Sequence, residues 1–247
     1  VLLAALLVLP GGVLAQSPGE TPPKAFSQEQ LDQLLAPIAL YPDSLLTQML
    51  MASTYPLEVA KASSWVKQNK ELKGDALTKA LEKQGWDPSV KSLVNFPQIL
   101  QLMDDKLDWT QKLGDAFLAQ QKDVLATVQT LRAKALEAGN LKTTKEQKVV
   151  VEQNPQIILI QQASPEVIYV PAYNPTVVYG VWAYPAYPPY PVYPPGYVVG
   201  AVAVGVAWGY AWGHSDYHGG NVNINYNQNT NINRNIDRGK YAQQQPG

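Results

Sequence analysis

Leu34 to Val59 reads LLAPIALYPDSLLTQMLMASTYPLEV, and its spacing decides how the first half of the chain folds. Leu45, Leu46, Met49 and Leu50 recur three and four apart, the period of one helical face. Upstream, Leu31, Leu34, Leu35 and Ile38 repeat the pattern, and Ser27 with Gln30 forms a capping box at the entry. The breaks are equally readable. Tyr41-Pro42 and Tyr55-Pro56 each place an aromatic before a proline suited to the first turn of a new helix, where its missing N–H costs nothing.

Working outward, the same punctuation recurs at Phe96-Pro97, and Asp87-Pro88 adds a capping carboxylate. Lys73-Gly74 and Gln84-Gly85 read as helix ends, with new starts at Asp75 and Trp86-Asp87. One long helix is expected from about Asp108 to Leu136, closed by Gly139-Asn140. Its stripe of Leu113, Phe117, Val124, Val128, Leu131 and Ala135 packs on the shorter helices before it. Asp104 and Asp108 would share a face of that region, as an acid and base pair or a cation grip requires. With no His or further acid beside them, a solvated face with Asp108 as a cap is the preferred reading.

After Lys148 the pattern becomes extended. Val149–Val151, Ile157–Ile160, Val167–Val170 and Thr176–Tyr179 are short β-branched or aromatic runs separated by Asn154-Pro155, Ser164-Pro165 and Asn174-Pro175. A small antiparallel meander of three or four strands, covered by the helical half, is the economical expectation. The fold class is therefore α+β: a helical domain over 27–140, then a β module over 148–180.

The ends of the chain differ from this middle. Val1 to Leu9 is apolar, Pro10-Gly11-Gly12 breaks it, and Ala15 precedes Gln16, so 1–15 reads as a secretion signal cleaved at Ala15 that begins inside its precursor. Residues 16–26 have linker composition. An exported chain with no cysteine draws no stability from disulfides. A net charge of −1 argues against general affinity for nucleic acid.

From Val167 to Ser215 there is no Lys, Arg, Asp or Glu. Within this stretch, 181–197 alternates proline with tyrosine and suits a polyproline II spacer or an aromatic surface for a partner. Over 198–213 the odd positions from Ala201 onward are Ala or Gly. As a helix, Ala201, Gly205, Gly209 and Gly213 would make a small-residue stripe for close membrane-helix approach; as a strand, large and small side chains would segregate to opposite faces. A short helix is preferred, since Gly and Ala are poor strand formers.

The tail, 214–247, carries Asn at each odd position from Asn221 to Asn235, with Asn221, Asn223 and Asn225 first. Period two is a strand signal, with an all-amide face able to stack on others; an Asn-rich, low-complexity composition equally suits disorder, and a disordered tail is the expectation kept for 214–247. His214 and His218, with Asp216 between, have a spacing that would suit a metal only on a rigid helix, which Gly213, Gly219 and Gly220 oppose.

Four separated segments carry a resemblance: Leu34–Val59 quoted above, WDPSVKSLVNFPQIL (Trp86–Leu100), LDWTQKLGDAFLAQQ (Leu107–Gln121) and VIYVPAYNPTVVYG (Val167–Gly180). In order and spacing they resemble the exported bacterial family filed as domain of unknown function 3300. The resemblance implies a signal peptide, a helical region, a short β segment and an apolar stretch; it brings no activity, cofactor or catalytic residue. The chain departs from the family pattern after about Asn235, where the expected basic, Gln-rich tail is reduced to RGKYAQQQPG, which leaves the completeness of the C-terminus open.

No catalytic, cofactor-binding or metal-binding residue is assigned. The leading expectation is a non-enzymatic exported envelope protein, periplasmic or membrane-associated, whose tail binds membrane or copies of itself through Ala201, Gly205, Gly209, Gly213, Asn221, Asn223 and Asn225. The alternatives are an integral membrane component spanning at about 197–213 and an enzyme acting on a wall or surface polymer. The enzyme lacks a nucleophile paired with a base.

Overall fold

The computed structural model describes residues 25–163, 167–193, 201–203, 211–217, 220–226 and 230–232. The segment 1–15 expected to be a signal, the linker up to Lys24, Gly205, Gly209, His218 and the tail beyond Ile232 lie outside these residues.

Ser27 opens α1 (Gln28–Leu35) with a reciprocal capping box to Gln30. A tight turn through Pro37 leads to α2 (Asp43–Ala52), the central helix, whose residues from Leu45 to Ala52 are all buried. There follow α3 (Pro56–Gln68), α4 (Gly74–Glu82), α5 (Pro88–Leu93), α6 (Pro97–Asp105), α7 (Leu107–Ala119) and α8 (Gln121–Glu137). Pro56 and Pro97 start helices as expected, and Asp87 caps α5 through Ser89 N–H. Pro42 is itself the N-cap residue of α2, one position earlier than expected. Gly74, with φ of 54°, begins α4 rather than ending α3, which stops at Gln68.

The single long helix expected from Asp108 to Leu136 is two helices, broken at Gln120. The cause is tertiary: the Gln120 carboxamide accepts from Phe26 N–H at 2.6 Å and donates to Phe26 C=O at 3.1 Å, clamping the chain entry. The apolar stripe survives the break. Leu113, Phe117, Val124, Val128, Leu131 and Ala135 are all buried against the shorter helices. At the crossing of α7 with the end of α2, Gly114 is obligatory, because a Cβ there would lie 2.3 Å from Ser53 O.

Gly139, at φ of 72°, ends α8. Beyond it β1 (Gln147–Glu152) and β2 (Ile157–Gln162) form an antiparallel hairpin with Val149 opposite Ile160. The outer edge of β2 is closed by helix side chains. Gln129 donates to Ile158 C=O at 3.1 Å and accepts from Ile158 N–H at 2.8 Å, and Asp43 accepts from Ile160 N–H at 3.0 Å. These bonds weld the hairpin to α8 and α2 and leave less free edge for another chain to pair with.

The rest of the expected meander is rearranged. β3 (Val167–Tyr169) pairs antiparallel with β4 (Ala201–Ala203), not with β2. Thr176–Tyr179, expected as a strand, contributes instead to a short helix, α9 (Pro175–Val178), because Asn174 caps Thr176 N–H and Pro175 presets the first turn. The helix expected over 198–213 is also corrected. Its described parts are β4 and the start of β5 (Ala211–Asp216), so Ala201 and Gly213 sit on strands. β5 pairs with β6 (Asn221–Tyr226), and β6 with β7 (Thr230–Ile232). Asn221, Asn223 and Asn225 thus lie on β6, in contrast to the disordered tail expected for 214–247. β5 and β6 lie against α2, and Val222 is buried there.

Candidate functional site: the tyrosine and proline strap

α1 ends in a turn whose carbonyls need donors, as every helix C-terminus does. Four tyrosines gather there. Tyr173 Oη donates to Ala36 O at 2.9 Å and accepts from Leu40 N–H at 3.3 Å. Tyr179 Oη donates to Ala36 O at 2.6 Å, and Tyr193 Oη donates to Pro37 O. With that hydrogen committed, Tyr193 accepts from Tyr41 Oη at 2.8 Å. The rings meet edge to face, with Tyr173 standing 6.2 Å from Tyr179 at 85° and 6.5 Å from Tyr41 at 87°. Burial pushes the Tyr173 and Tyr179 phenols well above the ordinary tyrosine range. They are neither acids nor bases at neutral pH.

Between Tyr179 and Tyr193 the chain is a strap rather than the free rod that its proline content suggested. The Trp182 indole N–H is shared between Tyr184 O at 3.1 Å and Tyr187 O at 3.0 Å, which curls the segment on itself. Gln33 of α1 then holds it, donating to Pro188 O at 2.6 Å while its own carbonyl accepts from Tyr190 N–H at 3.3 Å. Lys112 of α7 donates to Tyr190 Oη at 3.2 Å and Lys134 of α8 stands 5.7 Å from the centre of the Tyr184 ring. The bond to Tyr190, with a further one to Asp108, raises the Lys112 ammonium above its usual range.

Strap and preceding loop enclose a groove of about 580 Å³, walled by Ala172 to Thr176 on one side and Pro189 to Tyr193 on the other. The described residues with exposed large hydrophobic side chains are Val177 at 62 %, Val181 at 98 % and Tyr187 at 39 %, all in or beside this strap. The groove offers ring edges, proline faces and the Asn174 and Thr176 side chains, which suit binding more than bond-breaking.

Beneath lies a charged node that the sequence reading passed over. Arg132, with no exposed surface, donates Nε to Ala39 O at 2.8 Å, Nη2 to Tyr41 O at 3.0 Å, and Nη1 to Ile158 O at 2.8 Å and Asp43 Oδ1 at 2.6 Å. Burial, the largest single influence, would lower its pKa; the Asp43 carboxylate together with the Tyr217 and Tyr173 phenols outweighs it and keeps the guanidinium charged. Tyr217, between β5 and β6, donates to Asp43 at 2.7 Å and lays its ring 5.5 Å from the guanidinium. The C-terminal strands are thereby fastened to the helical domain. The signal was present, since Arg132 falls in the apolar stripe between Leu131 and Ala135.

The acidic pair is separated. Asp104 lies in the last turn of α6 and pairs with Lys67 at 3.7 Å, whereas Asp108 lies in the first turn of α7, bonds Lys112 at 3.2 Å and does not cap the helix. Of the proposed association residues, Ala201 lies on the sheet formed with β3, while Gly213, Asn221, Asn223 and Asn225 lie on β5 and β6. Asn225 stands opposite Asn231. His214 is on strand β5 opposite Asn223, which removes the helical spacing to His218. Among the described residues no group of three or more His, Asp or Glu is placed to hold a metal ion, and no helix is long and apolar enough to cross a membrane.

No solved structure matches the chain. The uncharacterized protein YacH of Escherichia coli (strain K12) is 45 % identical over 225 residues, covering 78 % of this chain and 36 % of that protein. The chain therefore spans little more than a third of the length of that curated relative. A family model described as protein of unknown function (DUF3300) matches residues 27–246, which takes in every helix and strand above and both halves of the strap. The chain belongs to the DUF3300 family.

Proposed function

We propose that the protein is a non-enzymatic, exported component of the cell envelope that works by holding a partner, and that the strap groove is where it does so. One observation carries this reading: the exposed large hydrophobics among the described residues, Val177, Val181 and Tyr187, lie in or beside a strap anchored to α1, α7 and α8, flanking the groove rather than lining it. Apolar surface held rigidly in the open is costly unless something covers it. A photo-crosslinking residue at the exposed position Thr176 tests it in cells. A discrete crosslinked product is expected, and the added substitution Ala172→Arg, which fills the groove, is expected to abolish it without changing the melting temperature. The reading fails if no product forms, or if the product survives that substitution.

Self-association through the tail is the second reading, favoured by the alignment of Asn225 with Asn231 across a strand pair. Deleting 227–247 is then expected to reduce the oligomeric mass in solution. An unchanged mass would rule this out.

A further inference from the structure

A second concavity lies away from the strap, between α3 and the loop joining α4 to α5. Ala60, Lys61, Ser64, Trp65 and Gln68 line it from α3, and Gln84 and Trp86 from the loop, around a shallow, solvent-open depression of about 520 Å³. The α3 positions fall on one helical face by their spacing. Trp65 and Trp86 cross edge to face at 5.9 Å and 81°, and each is half-buried, so each covers the core with one part of its ring system and leaves another part to the cleft.

The two walls are fixed to each other. Asp87, next to Trp86, donates its N–H to the buried Glu58 carboxylate of α3 at 2.5 Å, and its own carboxylate caps α5 through Ser89. On the other wall, the Trp65 carbonyl accepts from Asn69 Nδ2 at 2.8 Å. The cleft is therefore built before any ligand arrives, which lowers the ordering cost of binding.

Its lining is selective. Two indole surfaces suit the C–H face of a pyranose ring. The carboxamides of Gln68 and Gln84 and the Ser64 hydroxyl both donate and accept, as a rim of sugar hydroxyls demands. A hydrocarbon ligand would leave these polar groups without partners. A nucleotide or phosphorylated ligand would call for more cationic charge than a single lysine. Lys61 is the lining's one charged group, and no carboxylate lines the cleft with it, so the complement is a sugar bearing an isolated carboxylate.

We propose that the Trp65 and Trp86 cleft is a binding site for an acidic glycan, a hexose chain carrying carboxylates, with the indoles stacking on a ring, Gln68 and Gln84 reading hydroxyls and Lys61 pairing with the carboxylate. This goes beyond the strap groove and does not depend on it.

The test titrates the full chain with a galacturonic acid hexamer and, in parallel, with a neutral glucose hexamer, following tryptophan fluorescence and heat. The acidic hexamer is expected to bind more tightly. Trp86→Ala is expected to weaken it about tenfold, the scale of one stacked aromatic. Lys61→Gln, at an exposed position that leaves the fold intact, is expected to remove the preference for the acidic hexamer while retaining the binding shared with the neutral one. Gln68→Ala, also exposed, guards against misfolding of the tryptophan variant and is expected to weaken both hexamers. Ala172→Arg in the strap groove is expected to change nothing. The proposal is overturned if neither hexamer binds, if both bind equally to the native protein, or if the Lys61 and Gln68 variants bind as the native protein does.

Discussion

Replacing Arg132 by Met is the sharpest test of how this fold is held. The substitution fills a similar volume but removes every donor that the guanidinium supplies to Ala39 O, Tyr41 O, Ile158 O and Asp43. Tyr217 and Ile160 N–H still reach the Asp43 carboxylate, so that group keeps partial company. Breaking a buried pair from one side costs about 3–5 kcal/mol. Each stranded carbonyl would add about 1–3 kcal/mol if nothing relaxed; water entering the gap recovers much of this, and a net loss of about 4 kcal/mol is expected. For a chain of this size that is a fall of roughly 8–16 °C in melting temperature. Lysine at the same position is expected to recover only part, since one ammonium cannot serve four acceptors in a plane. Tyr217→Phe, which removes the bond to the Asp43 carboxylate and keeps the ring, is expected to cost about 1.5 kcal/mol. Urea melts monitored by circular dichroism measure all three. If Arg132→Met lies within about 1 kcal/mol of the native protein, the node is not what joins the hairpin, the turn and the last strands, and the reasoning is wrong.

Two further outcomes are expected. Gly114→Ala should lose at least about 2 kcal/mol, because its Cβ would meet the Ser53 carbonyl at 2.3 Å and helix backbone cannot step aside as a side chain can; an unchanged urea midpoint would show that α7 and α2 do not cross there. The tyrosine cluster should make the protein alkali-sensitive: below about pH 10 folded and unfolded chains both keep the phenol protons, whereas above it the unfolded chain releases protons that buried Tyr173 and Tyr179 retain, so stability falls. Phenolate absorbance should report these two only as the protein unfolds, and their titration in the native state near the ordinary tyrosine value would refute the burial argument.

What could be read from the sequence was whatever local chemistry decides. The Ser27 box, the prolines opening α3 and α6 and the Asp87 cap all act within one turn of chain, and they stand where expected. Most departures from that reading have a tertiary cause. Gln120 is an ordinary helix former, and only the distant Phe26 backbone makes it a break. Val167–Tyr169 has the composition of a strand, but nothing near it names Ala201–Ala203 as its partner. Thr176 to Val178 is the exception, decided locally: its β-branched residues favour a strand, but Asn174-Pro175, a cap followed by a first-turn proline, makes it a helix. At the candidate site the tyrosines and prolines were legible as a class, but not that their hydroxyls would serve the carbonyls of Ala36 and Pro37. Trp65 and Trp86 gave no sign of meeting, since the intervening helix α4 sets their separation.

The bond from Tyr217 to Asp43 spans 174 residues, and the Arg132 to Asp43 pair beneath it spans 89. A chain that emerges from its N-terminus therefore exposes the carboxylate first, the guanidinium much later, the hairpin carbonyl at Ile158 later again and the closing phenol last. Until each arrives, water has to stand in for it. The entropy of closing such loops rises only with the logarithm of their length, by about 0.6 kcal/mol per doubling, so distance along the chain is a minor obstacle. Completeness is the larger one. The node around Asp43 is thus complete only when the final strands dock, which makes its last bond the closing contact between the two ends of the described fold.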